Sequence, residues 1–79
     1  MDWDREVDCE GLLCPLPVLK ARKVLLAMAP GQVLAVNATD QMARIDLPHF
    51  CTEAGHLYLG ATETKTDTGP VTTHVIRCG

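Results

Sequence analysis

The chain has 79 residues, 47% of them hydrophobic, and a formal net charge of -3. Such a length supports one domain at most, near the lower limit for a core that holds without disulfides or metals. The acidic balance argues against a phosphate-driven nucleic-acid binder, which would carry a basic stripe. "MDWDREVD" is acidic and polar, without the apolar stretch of a secretory signal, and no run approaches the roughly 18 apolar residues of a membrane span. The sequence thus predicts a single domain over 1–79, placed in the cytoplasm, with no direct contact to nucleic acid or membrane.

In chain order, Arg5 to Cys9 alternates as a short strand with Val7 and Cys9 on one face. Gly11 to Leu13 is a turn. From Pro15 to about Met28, Val18, Ala21, Leu25 and Met28 recur at helical spacing, with Val24 beside them and Lys20 and Lys23 elsewhere on the wheel. Pro30 and Gly31 stop this helix. Gln32 to Ala38 is an apolar, partly β-branched run suited to a buried strand.

Asp40 is placed to cap a helix starting at Gln41. Pro48 lacks an N–H and clashes with the preceding turn, so two short helical pieces are expected to meet near Asp46 to Pro48, the second ending at Gly55. His56 to Thr66 and Pro70 to Cys78 are strand-like, joined by a hairpin turn at Asp67 to Gly69. Thr62, Thr64 and Thr66 alternate as a solvated sheet face would.

The order is β-α-β-α-β-β. Its first unit requires a right-handed crossover and a parallel strand pair, and its hairpin adds antiparallel strands. The expected class is α+β: a two-layer α/β sandwich, a four-stranded mixed sheet with two helices on one face.

Without a signal peptide the thiols of Cys9, Cys14, Cys51 and Cys78 are expected to stay reduced. Cys14 stands apart. It directly precedes Pro15, a residue favoured at the first helical position, which puts its sulfur in or next to the N-cap. A sulfur there lies among free N–H groups at the positive end of the macrodipole, roughly +0.5 charge. That setting lowers a cysteine pKa from about 8.5 to roughly 3.5–7.5. Pro15 and Pro17 remove two donors and stiffen the loop, leaving the Leu16 N–H as the natural partner for a thiolate or persulfide. No general base is evident nearby, since His49, His56 and His74 belong to other elements. A nucleophile without base or acid suits a group carrier better than a complete catalyst. An ordinary buried cysteine is the alternative from position alone.

"DCEGLLCPLPVLKARKVL" resembles the TusA/SirA-like sulfur-carrier family, whose hallmark is a CPxP motif after an Asp-x-x-Gly turn. Here the motif residues are Asp8, Gly11, Cys14, Pro15 and Pro17, with Arg22 and Lys23 matching a basic pair. The resemblance extends through "TD" and "DLPHFC" and covers nearly the whole chain. It implies a persulfide relay. Cys14 would accept sulfane sulfur from a donor protein, a cysteine desulfurase or rhodanese, and deliver it to an acceptor protein, with no cofactor. The pathways it implies are tRNA thiolation, molybdenum-cofactor synthesis and sulfur oxidation. Gln41 stands where the family has proline, and Leu13 where a basic residue commonly precedes the cysteine.

Cys9 and Cys51 are expected in the core, and Cys78, near the chain end, exposed and frayed. The C-x4-C spacing of Cys9 and Cys14 has no second pair to complete a zinc site, so no metal is expected. Lys20, Arg22 and Lys23 read either as a solvated helix face or as a docking patch for an acidic partner. The three histidines read as packing or surface residues. The rival class is a non-catalytic regulatory or protein-interaction module on the same scaffold, since fold does not fix function. A carrier using a C-terminal thiocarboxylate on Gly79 fits this element order poorly.

Overall fold

A computed structural model describes residues 3–79. Strand β1 (Arg5–Cys9) is followed by helix α1 (Leu16–Leu26), β2 (Val33–Ala38), α2 (Ala43–Ala54), β3 (Leu57–Thr66) and β4 (Gly69–Arg77). The strands form one sheet in the order β1-β2-β4-β3. β1 pairs parallel to β2, and β4 pairs antiparallel to both β2 and β3. This is the expected two-layer α+β architecture, with both helices on one face of the sheet.

The alternation of each strand decides which side chains meet the helices. Leu34, Val36 and Ala38 of β2, Cys9 of β1 and Ile76 of β4 pack with Ala21 and Leu25 of α1 and with Ala43, Leu47 and Cys51 of α2. Aliphatic side chains dominate, as the scarcity of aromatics requires. The opposite face carries a polar chain across three strands. There the Asn37 amide donates to Glu6 Oε2 at 2.6 Å, and the Thr73 hydroxyl donates to Asn37 Oδ1 at 2.7 Å. Thr62, Thr64 and Thr66 are exposed on β3, as their alternation predicts.

Four local expectations need correction. First, α1 starts at Leu16, with Pro15 in the cap position, and ends at Leu26. The Met28 N–H bonds to the Leu25 carbonyl at 3.1 Å, an i→i−3 contact that tightens the last turn while Met28 still reaches the core. Second, α2 runs unbroken through Pro48. Ala43, Leu47 and Cys51 recur at i, i+4 and i+8, and all are buried. An interior proline costs about 3 kcal/mol. Burying one leucine returns about 1.5–3 kcal/mol, and a helix broken near Pro48 would lose the shared stripe. Gly55 closes the helix in the left-handed region at φ 81°, where glycine has no side-chain penalty.

Third, α2 begins at Ala43, after a turn at Gln41 and Met42, so Asp40 caps that turn and not the helix proper. Its Oδ1 accepts the Met42 N–H at 3.0 Å. Fourth, Cys78 is buried, not frayed. Its N–H donates to the Gln32 carbonyl and its own carbonyl accepts the Gly31 N–H, both at 2.8 Å, while its sulfur rests 3.6 Å from the Leu25 carbonyl. The backbone pairing beyond β4 holds it down.

Candidate functional site

The parallel pairing of β1 and β2 sets Cys9 beside Ala38, so the loops leaving both strands emerge side by side. Cross-links between them shape the first loop. Asp8 Oδ1 accepts the Glu10 N–H at 2.9 Å, an Asx turn that starts the reversal. Gly11 completes it at φ 79°, and its N–H donates to Thr39 Oγ1 at 2.9 Å. Asp40 then reaches across. Its Oδ2 accepts the Cys14 N–H at 2.7 Å while its other oxygen holds Met42. These two backbone donors hold the Asp40 carboxyl below the usual carboxylate range.

Cys14 is thereby fixed at the loop tip and exposed, whereas Cys9, Cys51 and Cys78 are buried; all four are free thiols. Pro17 is buried beneath the loop and anchors it, while Leu13 and Leu16 are 70% and 46% exposed on either side of Cys14 and Pro15. The motif residues Asp8, Gly11, Cys14, Pro15, Leu16 and Pro17 therefore span the end of β1, the loop after it and the helix that loop feeds. Lys20, Arg22 and Lys23 are exposed on α1. None of the three is in an ion pair among the described residues.

The sulfur is not held as the capping argument predicts. The Leu16 N–H donates to the Leu13 carbonyl at 2.9 Å and is spent there. Pro15 and Pro17 have none to give. No side chain caps α1. The thiol instead donates to Asp46 Oδ2 at 2.8 Å, a carboxylate in the first turn of α2. That hydrogen bond pushes the Cys14 thiol above its ordinary value, helped by desolvation and by the negative charges of Asp46 and Asp40. The expectation of a lowered pKa is overturned: the dominant neighbour is an anion, the Leu16 N–H is engaged by Leu13, and Pro15 and Pro17 have no N–H to offer.

Asp46 is the residue at the sulfur that sequence reasoning did not single out. Its only signal was its place in "DLPHFC", six residues beyond Asp40. With it come His49, Phe50 and Glu53 of α2, which line a cleft of about 280 Å³ together with Cys14, Pro15 and Val18. His49 Nε2 lies 3.2 Å from Glu53 Oε1, both well exposed. The histidine is thus in the Cys14 cleft after all, although it does not touch the sulfur. Among the described residues no three metal-ligating side chains converge, and no helix is long and apolar enough to cross a membrane.

The anion beside the sulfur has a measurable consequence. Iodoacetamide alkylation of Cys14 against pH is expected to show a midpoint above that of an ordinary thiol. A midpoint below it would mean that helix-end donors outweigh Asp46 and Asp40.

Fold and site together define a small two-layer α+β domain that presents one thiol from a proline-flanked loop. Residues 5–77 match the family model for sulfurtransferase TusA. The sulfur carrier protein TusA of Allochromatium vinosum is 45% identical over 62 residues, 78% of this chain and 82% of that protein. The protein of the same name from Pseudomonas entomophila is 45% identical over 60 residues, 76% of this chain and 75% of its own length. The crystal structure of a SirA-like protein from Desulfitobacterium hafniense superposes with a TM-score of 0.72 at 25% identity, covering 96% of this chain and 99% of that one. The chain belongs to the TusA family.

Proposed function

We propose that this chain is a sulfur carrier that holds sulfane sulfur as a persulfide on Cys14. It takes the sulfur from a donor protein of cysteine desulfurase or rhodanese type and passes it to an acceptor protein. The observation that carries this reading is that Cys14 alone of four free cysteines is exposed. Its loop is pinned by Asp8, Gly11 and Asp40, which fixes the direction of the sulfur before any partner arrives. Family membership supports the carrier role, and the sulfur carriers named above are of similar length. The steps served are those of tRNA thiolation, molybdenum-cofactor synthesis or sulfur oxidation, carried out by a single domain over 1–79 in the cytoplasm. Lys20, Arg22 and Lys23 form a cationic face on α1 that contains no acidic residue, suited to steering an acidic donor surface.

The test is loading. Incubated with a cysteine desulfurase and cysteine, or with a rhodanese and thiosulfate, the protein is expected to gain the mass of one sulfur atom, mapped by peptide analysis to Cys14. No gain with either donor would favour a non-catalytic interaction module on the same scaffold.

A further inference from the structure

We propose that Asp46 is the acid–base partner of Cys14: it takes the thiol proton as the carrier is loaded and delivers one to Cys14 as the carrier discharges. This rests on the reading of Cys14 as the sulfur-accepting residue. Asp46 Oδ2 lies 2.8 Å from Cys14 Sγ and already accepts the thiol hydrogen bond. It is the one side chain hydrogen-bonded to the reacting atom among the described residues.

The other groups facing the sulfur are otherwise occupied. Both oxygens of Asp40 are engaged by backbone N–H groups, Oδ2 by that of Cys14 and Oδ1 by that of Met42. His49 and Glu53 line the same cleft but pair with each other at 3.2 Å. From the α1 side the cleft offers only Pro15 and Val18, which do not titrate.

The chemistry needs such a group. A thiol attacks a persulfide as its thiolate, yet the same carboxylates hold the Cys14 thiol above its ordinary value, which keeps it protonated near neutral pH. A docked donor also excludes the bulk water that would otherwise receive the proton. In loading, Cys14 Sγ attacks the outer sulfur of the donor persulfide. A new S–S bond forms on Cys14, the donor's S–S bond breaks, and its electron pair leaves on the donor sulfur. The Cys14 proton passes to Asp46 Oδ2 and from there to the departing donor thiolate. One thiol and one persulfide become one persulfide and one thiol, with no net oxidation. Discharge runs the same steps in reverse: an acceptor thiol attacks the outer sulfur, its proton passes to Asp46 Oδ2 and from there to Cys14 Sγ as the Cys14 S–S bond breaks. An empty carrier that is quiet in solution and reactive within a complex follows from this arrangement.

Asp46→Asn separates this role from a merely electrostatic or structural one, because the two readouts are expected to move in opposite directions. Sulfur loading at pH 7 from a thiosulfate-charged rhodanese, read by mass on Cys14, is expected to slow by about 100-fold, the lower end of what a positioned proton acceptor contributes. Iodoacetamide, a small solvated reagent that needs no such acceptor, is expected to alkylate Asp46→Asn at least as fast as wild type, since the opposing negative charge is gone. Asp46→Glu, which keeps a carboxylate one methylene further out, is expected to load faster than Asp46→Asn. Loading of Asp46→Asn at the wild-type rate would overturn the proposal, as would parallel losses in loading and alkylation, or a slower Asp46→Glu. Failure of the wild-type protein to load at all would instead remove the carrier reading of Cys14, and the acid–base role with it.

Discussion

A Cys14→Ser chain is expected to fold as the wild type does and to accept no sulfur. The side chain is exposed, so nothing in the core depends on its volume. A serine hydroxyl can donate to Asp46 Oδ2 as the thiol does, and the backbone link from residue 14 to Asp40 is unchanged. Surface changes of this kind usually stay within about 0.5 kcal/mol. Loading should nevertheless fall to nothing, because an alcohol is not a thiolate and the remaining sulfurs are out of reach: Cys9 is 0% exposed, Cys51 1% and Cys78 6%. Burial also pushes the Cys51 thiol up to about 11, which leaves little thiolate there. The comparison is made by native and denatured alkylation beside the loading assay. Native wild type should take one label and Cys14→Ser none, whereas denatured Cys14→Ser should take labels on its three remaining cysteines. Sulfur on a folded Cys14→Ser protein would mean that one of the buried thiols opens to solvent and serves as the true acceptor.

The sequence carried the topology because periods of 2 and 3.6 residues survive in short elements. Val7 and Cys9 alternate, Ala21 and Leu25 recur one turn apart, and each pair lands on the same packed layer. Glycine and proline marked the ends, and Gly55 closes α2 where expected. Cys14 could be singled out because its neighbours in sequence are also its neighbours in space. Asp46 could not. It lies 32 positions away, and its contact with the sulfur depends on how α2 is set against α1 by Ala43, Leu47 and Cys51. Local reasoning saw a helix start and inferred a positive environment, whereas the deciding charge arrives from another element. The same blindness to tertiary packing explains Pro48, whose local cost is outweighed by a shared buried stripe, and Cys78, which pairing with Gln32 pulls into the core.

A second large effect is expected under mild acid, at a residue remote from the sulfur. His74 of β4 is fully buried against the helix layer, its Nδ1 2.8 Å from the Tyr58 hydroxyl. Its Nε2 is buried without a hydrogen-bond partner. Desolvation first, and then the positive charge of Arg44, push its pKa down from 6.5 to about 4. Arg44 is itself held nearby, paired with Glu63 at 2.8 Å and 3.4 Å from Thr72 Oγ1, so its charge does not swing away. The folded ring therefore stays neutral where the unfolded chain already takes a proton. Below pH 6.5 the unfolded state binds more protons than the folded one, and stability falls as pH falls. The loss continues down to about pH 4 and then levels, since both states are protonated below that. A displacement of this size corresponds to about 3 kcal/mol, a large share of the roughly 5–15 kcal/mol that holds a small domain. Asp40 contributes in a separate window. Its carboxyl is depressed in the fold from 3.8, so its stabilisation is present above that value and is lost only at lower pH. Urea unfolding at pH 7 and at pH 4.5 tests the assignment. The wild type should lose about 2–3 kcal/mol between them, and a His74→Leu protein, which keeps similar volume without a titrating ring, should lose much less. Tyr58→Phe removes the hydroxyl but leaves the ring buried, so it should keep most of the wild-type pH dependence while lowering stability at both values. Equal acid losses in wild type and His74→Leu would show that the acid sensitivity of this fold comes from its carboxylates and not from its one fully enclosed histidine.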